Sequence, residues 1–275
     1  MRPFPIIMER NRTNEKGRFN PMAVMDEFRE EREALKNGTP KQKLEYFWCY
    51  YKWHVIGTVA AIAFIASFIY EAVTRKDNAL YAAFLNSFTI AEDQGEAYKQ
   101  AVTQAIGIDP NEYEIMIDTS MYIDLENMAD ENTYNTVQKM GVYVAAGEID
   151  TLVTNADIFE YYAYIDYLTD LRTILTPEQL EAYEPYFYFI DYSVLEAKQA
   201  AADNLEEYTG TCPDPTKPEE MTTPIPVGIY LENAAEEFKN TYVFQDNGVF
   251  GIVVNGPNQE NALNFLDYLF EGAAE

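Results

Sequence analysis

VIGTVAAIAFIASFIY, residues 55–70, is sixteen consecutive residues without a charge, and its reading divides the 275-residue chain. As a helix it would span roughly 24 Å at about 1.5 Å per residue, somewhat less than the ~30 Å hydrocarbon core of a bilayer. The flanks supply the difference. Tyr46, Phe47, Trp48, Tyr50, Tyr51 and Trp53 form an aromatic belt, Lys52 has a stem long enough to reach the headgroups, and Ala72 and Val73 continue past Glu71. The expectation is a single transmembrane helix over residues 50–73. The aromatic belt speaks against a buried core helix. The length of the preceding segment, and the lack of a small-residue cleavage site after the run, speak against a cleaved signal peptide.

Charge is distributed unevenly about this segment. Residues 1–53 hold eleven Lys and Arg with eight Asp and Glu, whereas residues 77–275 hold six Lys and Arg against thirty-seven Asp and Glu. Basic flanks stay in the cytoplasm, so the expected placement is the cell membrane, single-pass, with a cytoplasmic N-terminus and an extracytoplasmic C-terminal domain. The expected division is a cytoplasmic arm over 1–49, the membrane helix over 50–73 and an extracytoplasmic domain over 77–275. In the arm, residues 1–20 have no periodicity and read as a tail, and 25–36 read as a short amphipathic helix ended by Asn37-Gly38-Thr39-Pro40.

Composition excludes several chemistries. A net charge of −27 repels phosphate backbones, so nucleic acid is not an expected partner. The only Cys and His are Cys49, Cys212 and His54, which leaves no zinc motif and no His base for a nucleophilic triad. No glycine-rich phosphate loop occurs, and the acidic runs lack the order of a calcium loop. No cofactor, no metal and no catalysis are expected. A glycosidase would need two carboxylates at a set separation, and the sequence brings no specific pair together.

The outer residues alternate strand and helix. ALYAAFLNSF, 79–88, reads as a buried first strand, and 92–106 as a helix capped by Gly107. Residues 112–118 alternate as a half-exposed strand, 131–146 read as a helix, 149–154 as a strand and 156–164 as a helix. After Pro177 come a helix to Glu184, an aromatic strand in PYFYFID, and a helix over 193–208. A proline-rich loop follows, then strands at 225–231 and 249–254 and a closing helix over 259–270. The pattern implies an α/β fold with a largely parallel or mixed sheet and flanking helices.

Two stretches resemble bacterial extracytoplasmic solute-binding proteins of the type 2, periplasmic-binding-protein-like class. VQKMGVYVAAGEIDTLVTNADIFEYYAYIDYLTDLRTIL, 137–175, carries the turn Gly147-Glu148-Ile149-Asp150 and the later Asp170-Leu171, and NGPNQENALNFLDYLF, 255–270, is similar to the closing helix. The resemblance implies a ligand-binding module like those serving ABC transporters, here on an uncleaved anchor and with room for two small lobes at most. Ligands of α/β sheets sit beyond the C-terminal ends of strands. That rule selects Asn86 and Ser87, Asn155 and Asp157, and Glu232 and Asn233, and the tyrosine cluster adds Tyr161 and Tyr162. The alternative for the Asn and Ser residues is helix capping, and for the tyrosines an internal interface. Expected partners are the lipid bilayer, a small neutral or cationic solute, sugar or peptide, and a membrane transporter or other membrane protein. The competing reading is a structural or regulatory subunit of a membrane complex with no small ligand.

Overall fold

The computed structural model describes residues 39–246 and 248–271, and it divides into two compact units between Arg75 and Lys76. The helix expected over 25–36 and the tail over 1–20 lie outside the described residues. The first unit contains one described helix, α1 (Pro40–Thr74). Its segment Tyr51–Thr74, 24 residues with a mean hydropathy of 1.9, is long and apolar enough to cross a membrane. None of that stretch is buried inside the protein, and Ile56, Val59, Phe64, Ile65, Phe68 and Ile69 are exposed around the helix. A helix that is apolar all round suits either a core or a membrane, and among the described residues no core surrounds this one.

The second unit is built from β1 (Asp77–Phe84), β2 (Ser87–Thr89), α2 (Glu92–Ala105), β3 (Tyr113–Asp118), α3 (Glu131–Ala146), β4 (Thr151–Asn155) and α4 (Ala156–Ala163). Then follow α5 (Pro177–Tyr183), β5 (Phe187–Asp191), α6 (Tyr192–Asp203), β6 (Pro224–Tyr230), α7 (Glu236–Thr241), β7 (Tyr242–Phe244), β8 (Gly248–Ile252) and α8 (Gln259–Phe270). Six strands form one mixed sheet in the order β3-β1-β4-β8-β6-β5, and β2 pairs with β7 in a separate ribbon. β3, β1 and β4 are parallel, β8 is antiparallel to both β4 and β6, and β5 is antiparallel to β6. β6 therefore points the same way as β1, β3 and β4.

Helices cover both faces. Leu80, Ala82 and Phe84 of β1 pack with Tyr98 and Val102 of α2 and with Phe265 and Leu269 of α8. Tyr81, Ala83 and Leu85 point the other way, onto Met140 of α3, Phe159 of α4 and Leu195 of α6. Burial on both faces explains why β1 reads as an unbroken apolar run rather than an alternation. The helix ends also follow from local chemistry. Asp130 caps α3 by accepting from the Asn132 and Thr133 N–H groups, and Gly147 ends it at φ 66°, a left-handed conformation that costs glycine little.

Three expectations change. Residues 76–275 form one compact unit around one six-stranded sheet and a small ribbon, so the allowance for two small lobes is not met. The helix expected to reach residue 208 stops at Asp203, because Leu205 turns left-handed (φ 57°) and the Glu206 N–H donates back to the Ala201 carbonyl. The α7–β7 unit was not expected from the sequence.

The middle of the sheet is fastened by Asp150, which is 1% exposed. Its carboxyl oxygens accept from the Tyr81 N–H (2.8 Å), the Asn258 N–H (2.8 Å) and the Asn258 Nδ2 (3.2 Å). Its own N–H donates to the Tyr81 carbonyl, and its carbonyl accepts from the Val253 N–H. A Cβ at Gly256 would stand 3.0 Å from the Asp150 Cα, so the turn into α8 comes this close only with glycine there. Asp150→Ala would strand the buried Tyr81 N–H and the part-buried Asn258 N–H, at about 1–3 kcal/mol for each that water does not reach. The variant is therefore expected to lose at least ~2 kcal/mol in urea unfolding of the detergent-solubilised full chain. A loss below ~0.5 kcal/mol would show that water replaces the carboxyl group and that the knot is dispensable.

Candidate functional site

Four parallel-pointing strands end at one edge of the sheet, and the residues selected from the sequence all follow strands that end there. Asn155 pairs with Gly248, whose carbonyl accepts from the Leu231 N–H (2.8 Å), and the Leu85 N–H donates to the Val153 carbonyl (2.9 Å). The sequence rule thus selects residues that share one edge of the sheet. It does not select one cavity.

Asn86, in a left-handed conformation (φ 50°), uses its whole amide on one neighbour. Its Nδ2 donates to the Ile123 carbonyl and its Oδ1 accepts from the Ile123 N–H, both at 2.7 Å. Ser87 Oγ donates to the Phe84 carbonyl (3.2 Å). Both side chains are spent on the protein's own main chain. Asn155 is 7% exposed, stands at the start of α4 without a side-chain capping bond, and accepts from Thr154 Oγ1 (3.2 Å). Asp157, Glu232 and Asn233 are exposed. Tyr162 is 1% exposed within the second core layer and stacks on Tyr167, with centroids 5.7 Å apart, while Tyr161 meets it edge-on. Burial pushes both phenols above their ordinary pKa. Tyr162 belongs to the core, and the half-buried Tyr161 packs against it.

Two grooves do open along this edge. One, of about 520 Å³, lies past the end of β6 and is lined by Phe187, Phe189 and Tyr230 together with Glu184, Glu219, Glu232, Pro185, Thr216 and Pro218. Glu232 is the only residue selected from the sequence that lines a groove. β5 runs opposite to β6, so its first residues arrive where β6 ends, and the proline-rich loop supplies the remaining wall. Phe187 and Phe189 meet edge-on at 5.8 Å. Burial, with help from the Asp214 and Glu232 carboxylates, pushes the Tyr230 phenol up to about 12. No Lys or Arg lines the groove, and the loop's Lys217 is turned to Asp214 (3.5 Å) and Glu220 (3.6 Å). Among the described residues no three His, Cys, Asp or Glu side chains converge as metal ligands do, so the three glutamates line a wall without forming a cage.

The second groove, of about 470 Å³, lies where β3 ends, between α2 and the β2–β7 ribbon. Asp118 lines it and anchors that corner, accepting from Tyr81 Oη (2.8 Å), Lys139 Nζ (2.8 Å) and the Ser120 N–H (2.9 Å). Neither the aromatic wall nor this anchor was selected from sequence. PYFYFID carried the only usable signal for the first, and Lys139 lies too far along the chain to be paired with Asp118 by inspection.

No family model, curated protein or solved structure matches this chain.

Burial alone would raise the Asp118 pKa, but the Lys139 ammonium and the Ser120 and Tyr81 hydrogen bonds outweigh it and hold the group at about 2, below its ordinary 3.8. A lowered folded-state pKa means that the carboxylate stabilises the fold above 3.8 and that this contribution is lost as pH falls through about 2. Asp118→Asn should lower stability at neutral pH and flatten the pH dependence of unfolding in that window. Identical slopes in the variant and the parent would assign the acid sensitivity to other groups.

Proposed function

We propose that the chain is a membrane-anchored, extracytoplasmic binding module without catalytic activity, whose ligand is a small organic cation. The observation that carries this reading is the groove beyond β6, where Phe187, Phe189 and Tyr230 meet Glu184, Glu219 and Glu232 without a lining cation. Aromatic faces and carboxylates both attract a cation, and rings favour a large, weakly hydrated one such as a substituted ammonium over a compact metal ion. The spread of the glutamates along the wall favours the same choice. Sugars and short peptides remain within the module's expected ligand range, but a sugar offers no positive charge and a peptide offers one only at its amino terminus or on a basic side chain.

Two further features support a relation to the solute-binding class. The turn at 147–150 and the turn at 255–258, on which the resemblance rests, are joined in space through Asp150 and Asn258. The strands β1, β3, β4 and β6 also end on one edge, an arrangement compatible with a ligand site there. The anchor is the segment over 50–73, with the basic arm in the cytoplasm and the acidic domain outside. Protease added to intact cells should then degrade the domain and leave an N-terminal fragment in the membrane; full protection of the domain would reverse the topology.

Full-length protein in nanodiscs is the material for the ligand test, with tetramethylammonium, choline, spermidine, glucose and calcium as probes. An ammonium probe at about 100 times its dissociation constant should stabilise the domain by roughly 2.7 kcal/mol. Tyr230→Ala and Glu232→Gln should each weaken that binding by about tenfold. If no probe shifts the melting curve, the binding reading fails and a structural or regulatory subunit of a membrane complex takes its place.

A further inference from the structure

The sheet has two outer strands, and the protein finishes them differently. β5 is partly covered on its outer side, where the Phe189 N–H donates to the Pro215 carbonyl of the proline-rich loop (3.0 Å). β3 pairs with β1 on one side only. Among the described residues, nothing apart from β1 hydrogen-bonds to the main chain of 114–118. The irregularity in the β1–β3 pairing places its extra residue, Ala79, in β1, so β3 itself runs without a bulge. A regular outer strand presents a row of unpaired N–H and C=O groups on which another strand can form.

The groove of about 470 Å³ lies against that row. Met116, Ile117 and Asp118 all line it, although successive side chains of a strand point to opposite faces, so the cavity meets β3 at its main-chain edge. The facing wall is Glu92, Gly95, Glu96 and Lys99, one stripe of α2. Asp118 is neutralised by Lys139, and Glu92 and Glu96, both exposed and in no ion pair among the described residues, outnumber the one lining cation, Lys99. Glu112 and Glu114 add to the negative charge of the same edge. A second copy of this acidic chain would be repelled there, and a basic chain would be attracted.

We propose that β3 and its groove receive an extended stretch of a basic polypeptide, which adds as a strand beside β3 and places a Lys or Arg side chain against Glu92 and Glu96. This site is separate from the groove beyond β6 and does not depend on the ligand assigned to it.

The test uses the full chain in nanodiscs of zwitterionic lipid, so that the bilayer itself does not capture a cationic probe. The probe is a labelled, N-acetylated octapeptide alternating Lys and Thr, followed by fluorescence anisotropy. Saturable binding is expected, together with slowed amide hydrogen exchange within 114–118. Methylating every second peptide nitrogen keeps the charge but removes the strand's donors, and should weaken binding by about tenfold or more. The double substitution Glu92→Gln, Glu96→Gln should weaken it comparably, whereas Tyr230→Ala and Glu232→Gln should leave it unchanged. Equal binding of the methylated peptide, equal binding of a Glu-Thr octapeptide, or protection confined to segments other than 114–118 would each overturn the proposal.

Discussion

A carboxyl group buried at the start of β4 decides how the middle of this domain is put together. Asp150 takes three donors, one from β1 and two from Asn258 at the start of α8, while its own main chain bonds to Tyr81 and Val253. In the low-dielectric interior an acceptor so placed must find partners or cost stability, and here the partners come from segments far apart in sequence. The knot lies at the N-terminal end of β4. At the opposite edge, where β1, β3, β4 and β6 end, polar bonding ties individual corners, Asn86 to Ile123 and Asp118 to Lys139 and Tyr81, and both grooves open there. The loops between those corners shape the walls of the two grooves.

Much of this order is written locally. α3 spans 131–146 as expected because Asp130 caps one end and Gly147 the other, and both signals sit within a few residues of the helix. α8 spans 259–270 as expected because its apolar residues recur at helical spacing. β1 is legible because burial on both faces leaves an uninterrupted apolar run. The failures occur where the deciding partner is distant or the signal is of the wrong type. Leu205 ends α6 in a conformation usually given to glycine or asparagine, so nothing in its identity announces the stop. β7 exists because β2 pairs with it across some 150 residues of chain, a contact no local pattern encodes.

The candidate site divides along the same line. A rule about strand ends gathered residues at one edge, since strand direction follows from the alternation of elements. The rule could not know that the Asn86 amide would be used up by Ile123, or that Tyr162 would turn into the core. Glu232 lines a groove because β5 arrives antiparallel beside β6 and brings two aromatic side chains with it. That strand's direction depends on a crossover the sequence does not fix, and the groove was unreadable for that reason.

Charge acts on these surfaces at two ranges. Residues 77–275 carry thirty-seven acids against six bases, and a field of that sign draws cations toward the whole domain. At physiological ionic strength such a field fades over about 8 Å, so it governs encounter more than affinity. Affinity rests with the groups a bound cation touches. The three glutamates beyond β6 surround aromatic rings that can strip water from a weakly hydrated cation, whereas Glu92 and Glu96 face an open main-chain edge that supplies hydrogen bonds. On the two proposals, the same negative field would serve two different recognitions, one set by the ligand's size and hydration and one by its backbone.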